Sequence, residues 1–156
     1  MQGEHVQNDN VESRELVALI GTDSPIATIM RRHGRTILTT LPETEPSLAA
    51  KLHKAMTGDR LNLQDIVGSE IEVQHIIIHR RLVPARDGKP AQQLTEIVLI
   101  APNGEMYATC SPFVASALSD WATIVGDPPW SPAAKFVVSQ RTTAQKRTML
   151  YLTAVS

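Results

Sequence analysis

The chain has 156 residues, 42% hydrophobic, 20% charged and 4% aromatic, with a formal net charge of -1. That allows one domain with a core and an appendage, and it excludes overall charge as an argument for a polyanion binder, so charge distribution must carry any such case. The lone Cys110 rules out an intramolecular disulfide, no stretch nears the ~20 apolar residues of a membrane span, and the polar N-terminus has no apolar signal core, so a cytoplasmic protein is expected.

Residues 1–13 are polar and acidic, with Glu4, Asp9 and Glu12. They can bury little, so 1–15 is expected to be a disordered tail. Leu16 to Ile20 is a short apolar run ended by the turn residues Gly21 to Pro25. Ile26–Arg31 and Arg35–Leu41 flank His33-Gly34 and read as a hairpin, with a helix through Ala27–Arg32 as the competing assignment. Arg31, Arg32, His33 and Arg35 cluster at this turn, where a solvated turn is preferred to a phosphate contact. Pro42 to Pro46 is a link. Ser47–Met56 reads as a helix, with Pro46 in its first turn and Gly58 as its stop. Leu48, Leu52 and Met56 form one apolar stripe, expected to pack on the rest of the chain. Residues 16–60 are thus a hairpin-and-helix extension to a second unit, 61–156.

In that unit Ser69 to Val83 begins as an alternating strand, Ile71 and Val73 against Glu72 and Gln74. Alternation fails at Ile76-Ile77-Ile78, so the strand is expected to bend or bulge and to serve two sheets. Pro84 to Pro90 is a turn-rich loop. Gln93–Ala101 is the second strand, and Pro102-Asn-Gly-Glu105 is a tight hairpin turn. Met106–Cys110 is the third strand, with Met106, Ala108 and Cys110 toward the core and Tyr107 outward. Ser111 as N-cap and Pro112 at the first position open a helix whose stripe runs Val114, Ala117, Leu118, Trp121, Val125 and which Gly126 ends. In the Pro-rich link after it, Trp130 is expected to plug a barrel end, an exposed stacking role being the alternative. Ala134–Gln140 and Thr148–Val155 are the fourth and fifth strands. The fold class is mostly β. Five strands with one helix between the third and fourth is the order of an OB-fold barrel, a fold that commonly binds oligonucleotides or oligosaccharides.

Two connections of that order are basic. The first-to-second connection carries Arg80, Arg81, Arg86 and Lys89, and the fourth-to-fifth region carries Lys135, Arg141, Lys146 and Arg147. In an OB-fold these loops flank the ligand face. Binding of single strands without sequence preference needs cations along the backbone path and aromatic planes for bases. Tyr107 is the first candidate for such a plane and Tyr151 the second. Catalysis finds little support. His75 and His79 lie ~13 Å apart along a strand, too far to chelate one metal. Cys110 is expected on the core face, and neither a Gly-rich phosphate loop nor zinc-type cysteine spacing occurs. No metal, cofactor or catalytic residue is assigned.

These segments resemble the small OB-fold single-stranded-DNA-binding proteins of phages and related mobile elements. The resemblance rests on Asp65-Ile-Val-Gly68, on Glu96 to Tyr107, on the Ser111-led helix, on Gly126-Asp-Pro-Pro-Trp130 and on the basic final hairpin, and it covers about 61–155. It implies coating of single-stranded DNA in replication or recombination without catalysis, in a host cytoplasm. The acidic C-terminal tip of bacterial housekeeping relatives has no counterpart here, so recruitment of partner enzymes through such a tip is not expected. Homo-oligomers fit a small barrel with few aromatics, which gains from multivalency. A protein-interaction module on the same scaffold is the main rival, and a small enzyme the third reading.

Overall fold

A computed structural model describes Ile26, residues 29–34 and residues 36–155. The expected tail over 1–15, the run Leu16 to Ile20 and Arg35 lie outside the described residues. The elements in chain order are β1 (Arg31–His33), β2 (Ile37–Thr39), α1 (Leu48–Thr57), β3 (Leu61–Asn62), a 3-10 turn (Leu63–Ile66), β4 (Glu70–Val73), β5 (His75–Val83), β6 (Gln92–Ile100), β7 (Met106–Thr109), α2 (Pro112–Val125), β8 (Ala134–Thr142) and β9 (Thr148–Ala154). They form a six-stranded sheet, β1-β2-β5-β6-β7-β3, and a three-stranded sheet, β4-β8-β9. The described chain is mostly β, as expected.

The strand that begins near Ser69 does serve two sheets. Gln74 interrupts it, so that β4 pairs with β8 and β5 pairs with β6, both antiparallel. The bend is pinned from both sides. Gln74 N–H donates to the Ile100 carbonyl at 2.8 Å, and Trp130 N–H donates to the Gln74 carbonyl at 3.1 Å. The unbroken Ile76-Ile77-Ile78 run follows from where β5 lies. Ile76 and Ile78 enter the main core, whereas Ile77 enters a second cluster with Leu41, Leu52, Ala55 and Val98. Alternate residues point to opposite faces, so both faces of β5 are covered, the second by α1.

That second cover corrects the reading of β7. Met106 and Ala108 face the α1 cluster, and Tyr107 faces the main core, 6% exposed. Its hydroxyl donates to Glu105 Oε2 at 2.7 Å. Burial first, and the Glu105 hydrogen bond second, push the phenol up to about 12. The sequence pattern treats one face of this sheet as solvated, and α1 removes that face. Cys110 departs in the opposite sense. β7 ends at Thr109, and Cys110 beyond it is exposed rather than on the core face.

The closed five-stranded barrel expected over 61–156 is also corrected. β5–β6, β6–β7, β4–β8 and β8–β9 all pair, but β7 and β9 share no ladder among the described residues. The outer edge of β7 is taken by β3 in parallel, Leu61 opposite Tyr107 and Asn62 opposite Ala108. One side chain bridges the gap: Ser111 Oγ donates to the Leu150 carbonyl at 2.9 Å. Ser111 therefore occupies the N-cap position of α2 without the expected side-chain cap. Pro112 opens α2 and Gly126, at φ 104, follows its end as expected.

α1 starts one residue later than expected, with Ser47 at its N-cap and Pro46 outside the helix. The N-terminal hairpin is present as β1 and β2 around Gly34, φ 65, and β2 adds to the edge of β5. Arg31 lies on its strand rather than in its turn, donating to the Leu41 carbonyl at 2.6 Å and pairing with Glu43 at 3.2 Å. Trp121 meets Phe136 edge to face, with 5.7 Å between centroids. Trp130 is buried, and its indole N–H donates to the Gly126 carbonyl at 2.8 Å, which removes the stacking alternative.

Candidate nucleic-acid interface

β5 and β6 run out as a long hairpin whose far part, Gln92 to Leu94, is exposed. Its end is tighter than the expected loop. Asp87 and Gly88 sit at φ 54 and φ 77, and Arg86 and Lys89 exchange two backbone hydrogen bonds of 3.2 and 2.9 Å. Two successive positive φ values define the two-residue turn that suits hairpin twist, and Asp-Gly is its sequence signal. Arg86 and Lys89 stand exposed at this tip. Arg80 and Arg81, neighbours on β5, point to opposite faces.

The second hairpin joins β8 and β9. Thr143 N–H donates to the Arg147 carbonyl and Lys146 N–H to the Thr143 carbonyl, both at 2.8 Å, with Lys146 at φ 62. Arg141 lies on β8, not in the loop, because the strand extends to Thr142. Arg141, Lys146 and Arg147 are all exposed. The Arg141 guanidinium lies 3.8 Å from the Tyr151 ring centroid, a cation–π contact that covers part of the ring.

Both hairpins contribute to one groove of about 510 Å³, at the seam where β7 and β9 fail to pair. Arg60, Arg81 and Glu96 line one part, and Thr148, Met149 and Leu150 another. Beneath the arginines sits a buried acid. Glu96 Oε1 accepts from Arg60 and lies 2.9 Å from His79 Nε2, and Oε2 accepts from Arg81 at 3.0 Å. His79 stands directly opposite Glu96 in the β5–β6 register, and His79 Nδ1 faces the Arg80 carbonyl at 3.1 Å. Burial alone would raise the Glu96 carboxyl. The hydrogen bonds from His79 and Arg60 outweigh it and hold the group at about 2. Arg60 and Glu96 are nearly buried, while half of the Arg81 side chain is open to the groove. Cys110 also lines it. Desolvation, with the Glu96 charge, pushes its thiol up against the pull of Arg81 and Arg60.

Of the residues singled out in the sequence, the structure brings Arg81 to the groove and Arg141 and Tyr151 to its Met149 side. Lys146 and Arg147 occupy the adjoining turn. Arg86 and Lys89 lie farther out on the first hairpin, and Arg80 is on the other face of β5. Lys135 stands opposite Glu72 in the β4–β8 ladder and lines a different hollow, beside Trp130. Tyr107 is buried and unavailable. Sequence reasoning missed Arg60 and Glu96. The available signal was an acid heading the apolar run Ile97 to Ile100. Arg60, just past the end of α1, gives no local signal.

His75 Nδ1 lies 3.1 Å from Thr40 Oγ1, away from the Glu96 cluster. Among the described residues no group of three or more His, Cys, Asp or Glu could hold a metal ion, and no helix is long and apolar enough to cross a membrane.

Comparison with family models gives first a class, the single-stranded-DNA-binding proteins. Within it, the model described as phage single-stranded DNA-binding protein matches residues 33–154 of the 156. The chain belongs to this family. No match arises among curated proteins or among solved structures.

Proposed function

We propose that this protein coats single-stranded DNA during phage or mobile-element replication or recombination, without catalysis, in the host cytoplasm. The family match over 33–154 carries this reading. The groove supports it chemically. Arg81, Lys146 and Arg147 supply cations for the phosphates, and Arg141 with Tyr151 a cationic and an aromatic plane. Arg86 and Lys89 extend the positive path along the first hairpin, whereas Arg80, on the other face of β5, lies off it. With Tyr107 in the core, backbone electrostatics dominates stacking, which contributes ~1–3 kcal/mol per base.

The order of pairing supports an opened OB-like unit from β3 to β9, with β1, β2 and α1 as an extension packed on it. Modest affinity per subunit favours several copies on one strand, held together by multivalency.

Titration of a fluorescent oligonucleotide at two salt concentrations tests the reading. Affinity falls with salt, with a slope of ~0.7 for each phosphate contact on a single strand. Absence of binding at low salt removes the proposal and leaves a protein-interaction module in its place.

A further inference from the structure

Beside the groove is a smaller cavity of about 210 Å³, lined by Phe113, Arg141, Thr142, Thr143, Met149 and Tyr151. Phe113 belongs to the first turn of α2, and at 40% exposure it is a large apolar side chain left open to solvent. The preceding residue, Pro112, lines the groove, and Met149 lines both spaces, so the cavity opens beside the strand path rather than on a remote face. Register places Arg141 opposite Met149 and Ser139 opposite Tyr151. Arg141 therefore reaches diagonally to cover the Tyr151 ring at 3.8 Å.

We propose that this cavity takes one nucleobase of the bound strand, with Phe113 and Tyr151 as its aromatic walls, Met149 as its floor and Arg141 as the cationic plane beside the base. The inference rests on the single-strand reading above and assigns Phe113 and Met149 to it. The chemistry points to a base rather than a phosphate. Two rings and a thioether offer π and apolar contact, which every base accepts whatever its identity. The guanidinium can stack on a base as it stacks on Tyr151. Thr142 and Thr143 add polar groups to the rim. The positive charge of Lys146 and Arg147 on the same hairpin brings the backbone past the opening.

The test compares the full-length protein with Phe113→Leu on two labelled oligonucleotides of equal length, an oligothymidylate and its abasic counterpart. Loss of one ring weakens oligothymidylate binding about five- to tenfold. Binding to the abasic strand stays within twofold, and the salt slope does not change. Thermal unfolding of the variant is compared with that of the parent, so that a folding defect is not read as lost binding. Irradiation of a strand carrying 5-iodouracil, with the unsubstituted protein, gives cross-links on the peptides that hold Phe113, Met149 or Tyr151. Equal binding by variant and parent, equal weakening on both strands, or cross-links confined elsewhere would each overturn the subsite while leaving strand binding intact. Failure of the parent protein to bind either oligonucleotide would overturn the single-strand reading and the subsite with it.

Discussion

Replacing Glu96 with Ala lowers the unfolding free energy by about 3–5 kcal/mol, because the change removes one member of a buried charge cluster and leaves the others. Arg60 and His79, whose side chains are 11% and 2% exposed, lose the carboxylate that both of them meet. Arg81 is half exposed and can turn to water, so it contributes less. Glu96→Gln keeps the shape and one oxygen acceptor, and is expected to be milder, about 1–3 kcal/mol. Urea unfolding of both variants checks the order. A Glu96→Ala protein as stable as the parent would show that the cluster is dispensable.

The same cluster sets an acid limit. The folded carboxyl lies at about 2, below its ordinary 4.5. A depressed acid stabilises the folded state fully above its unfolded value and loses that contribution as pH falls toward its folded value. The contribution is on the order of 3 kcal/mol. It is complete at neutral pH and drains between about pH 4.5 and pH 2. Unfolding measured across this window declines more steeply for the parent than for Glu96→Gln, which has no carboxyl there to titrate.

Reversing the charge of the second hairpin is the other large effect. The triple variant Arg141→Glu, Lys146→Glu, Arg147→Glu binds oligonucleotides at least about a hundredfold more weakly at 0.1 M salt, because Lys146 and Arg147 lose phosphate contacts and Arg141 its place beside the base. Its salt slope falls by about 1.4, since Lys146 and Arg147 each contribute ~0.7. The loss is the same for all base sequences, because phosphate contacts carry no sequence information. All three side chains are exposed, so unfolding of the triple variant stays near that of the parent. Unchanged affinity and slope would move the strand path away from this hairpin. The Phe113 substitution differs in kind, since it spares the abasic strand.

Much of this architecture is written in local signals. Asn103-Gly104 declares the β6–β7 turn, Pro112 and Gly126 bracket α2, and the loss of alternation at Ile76 announces a strand covered on both sides. Each depends on residues within a few positions of one another. The misreadings share the opposite property. The side to which Tyr107 points depends on α1, some fifty residues earlier, having covered the far face of the sheet. The open seam depends on two residues, Leu61 and Asn62, taking the edge of β7, and a two-residue strand has no periodicity to detect. The basic residues were legible as two clusters. That Lys135 stands apart from the groove, and that Arg60 joins it, follows only from which strands neighbour which.

The placement of both indoles away from the groove has a practical result for optical assays. Trp130 is enclosed beside the bend and Trp121 leans on Phe136, and neither lines the groove or the cavity next to it. Indole emission should therefore stay nearly flat through a titration that saturates a labelled oligonucleotide. Quenching by bound bases would have to come from the phenol of Tyr151, a weak emitter beside two tryptophans. A silent indole signal is thus compatible with full occupancy, whereas strong indole quenching would place the polymer at the separate hollow that Trp121, Trp130 and Lys135 line.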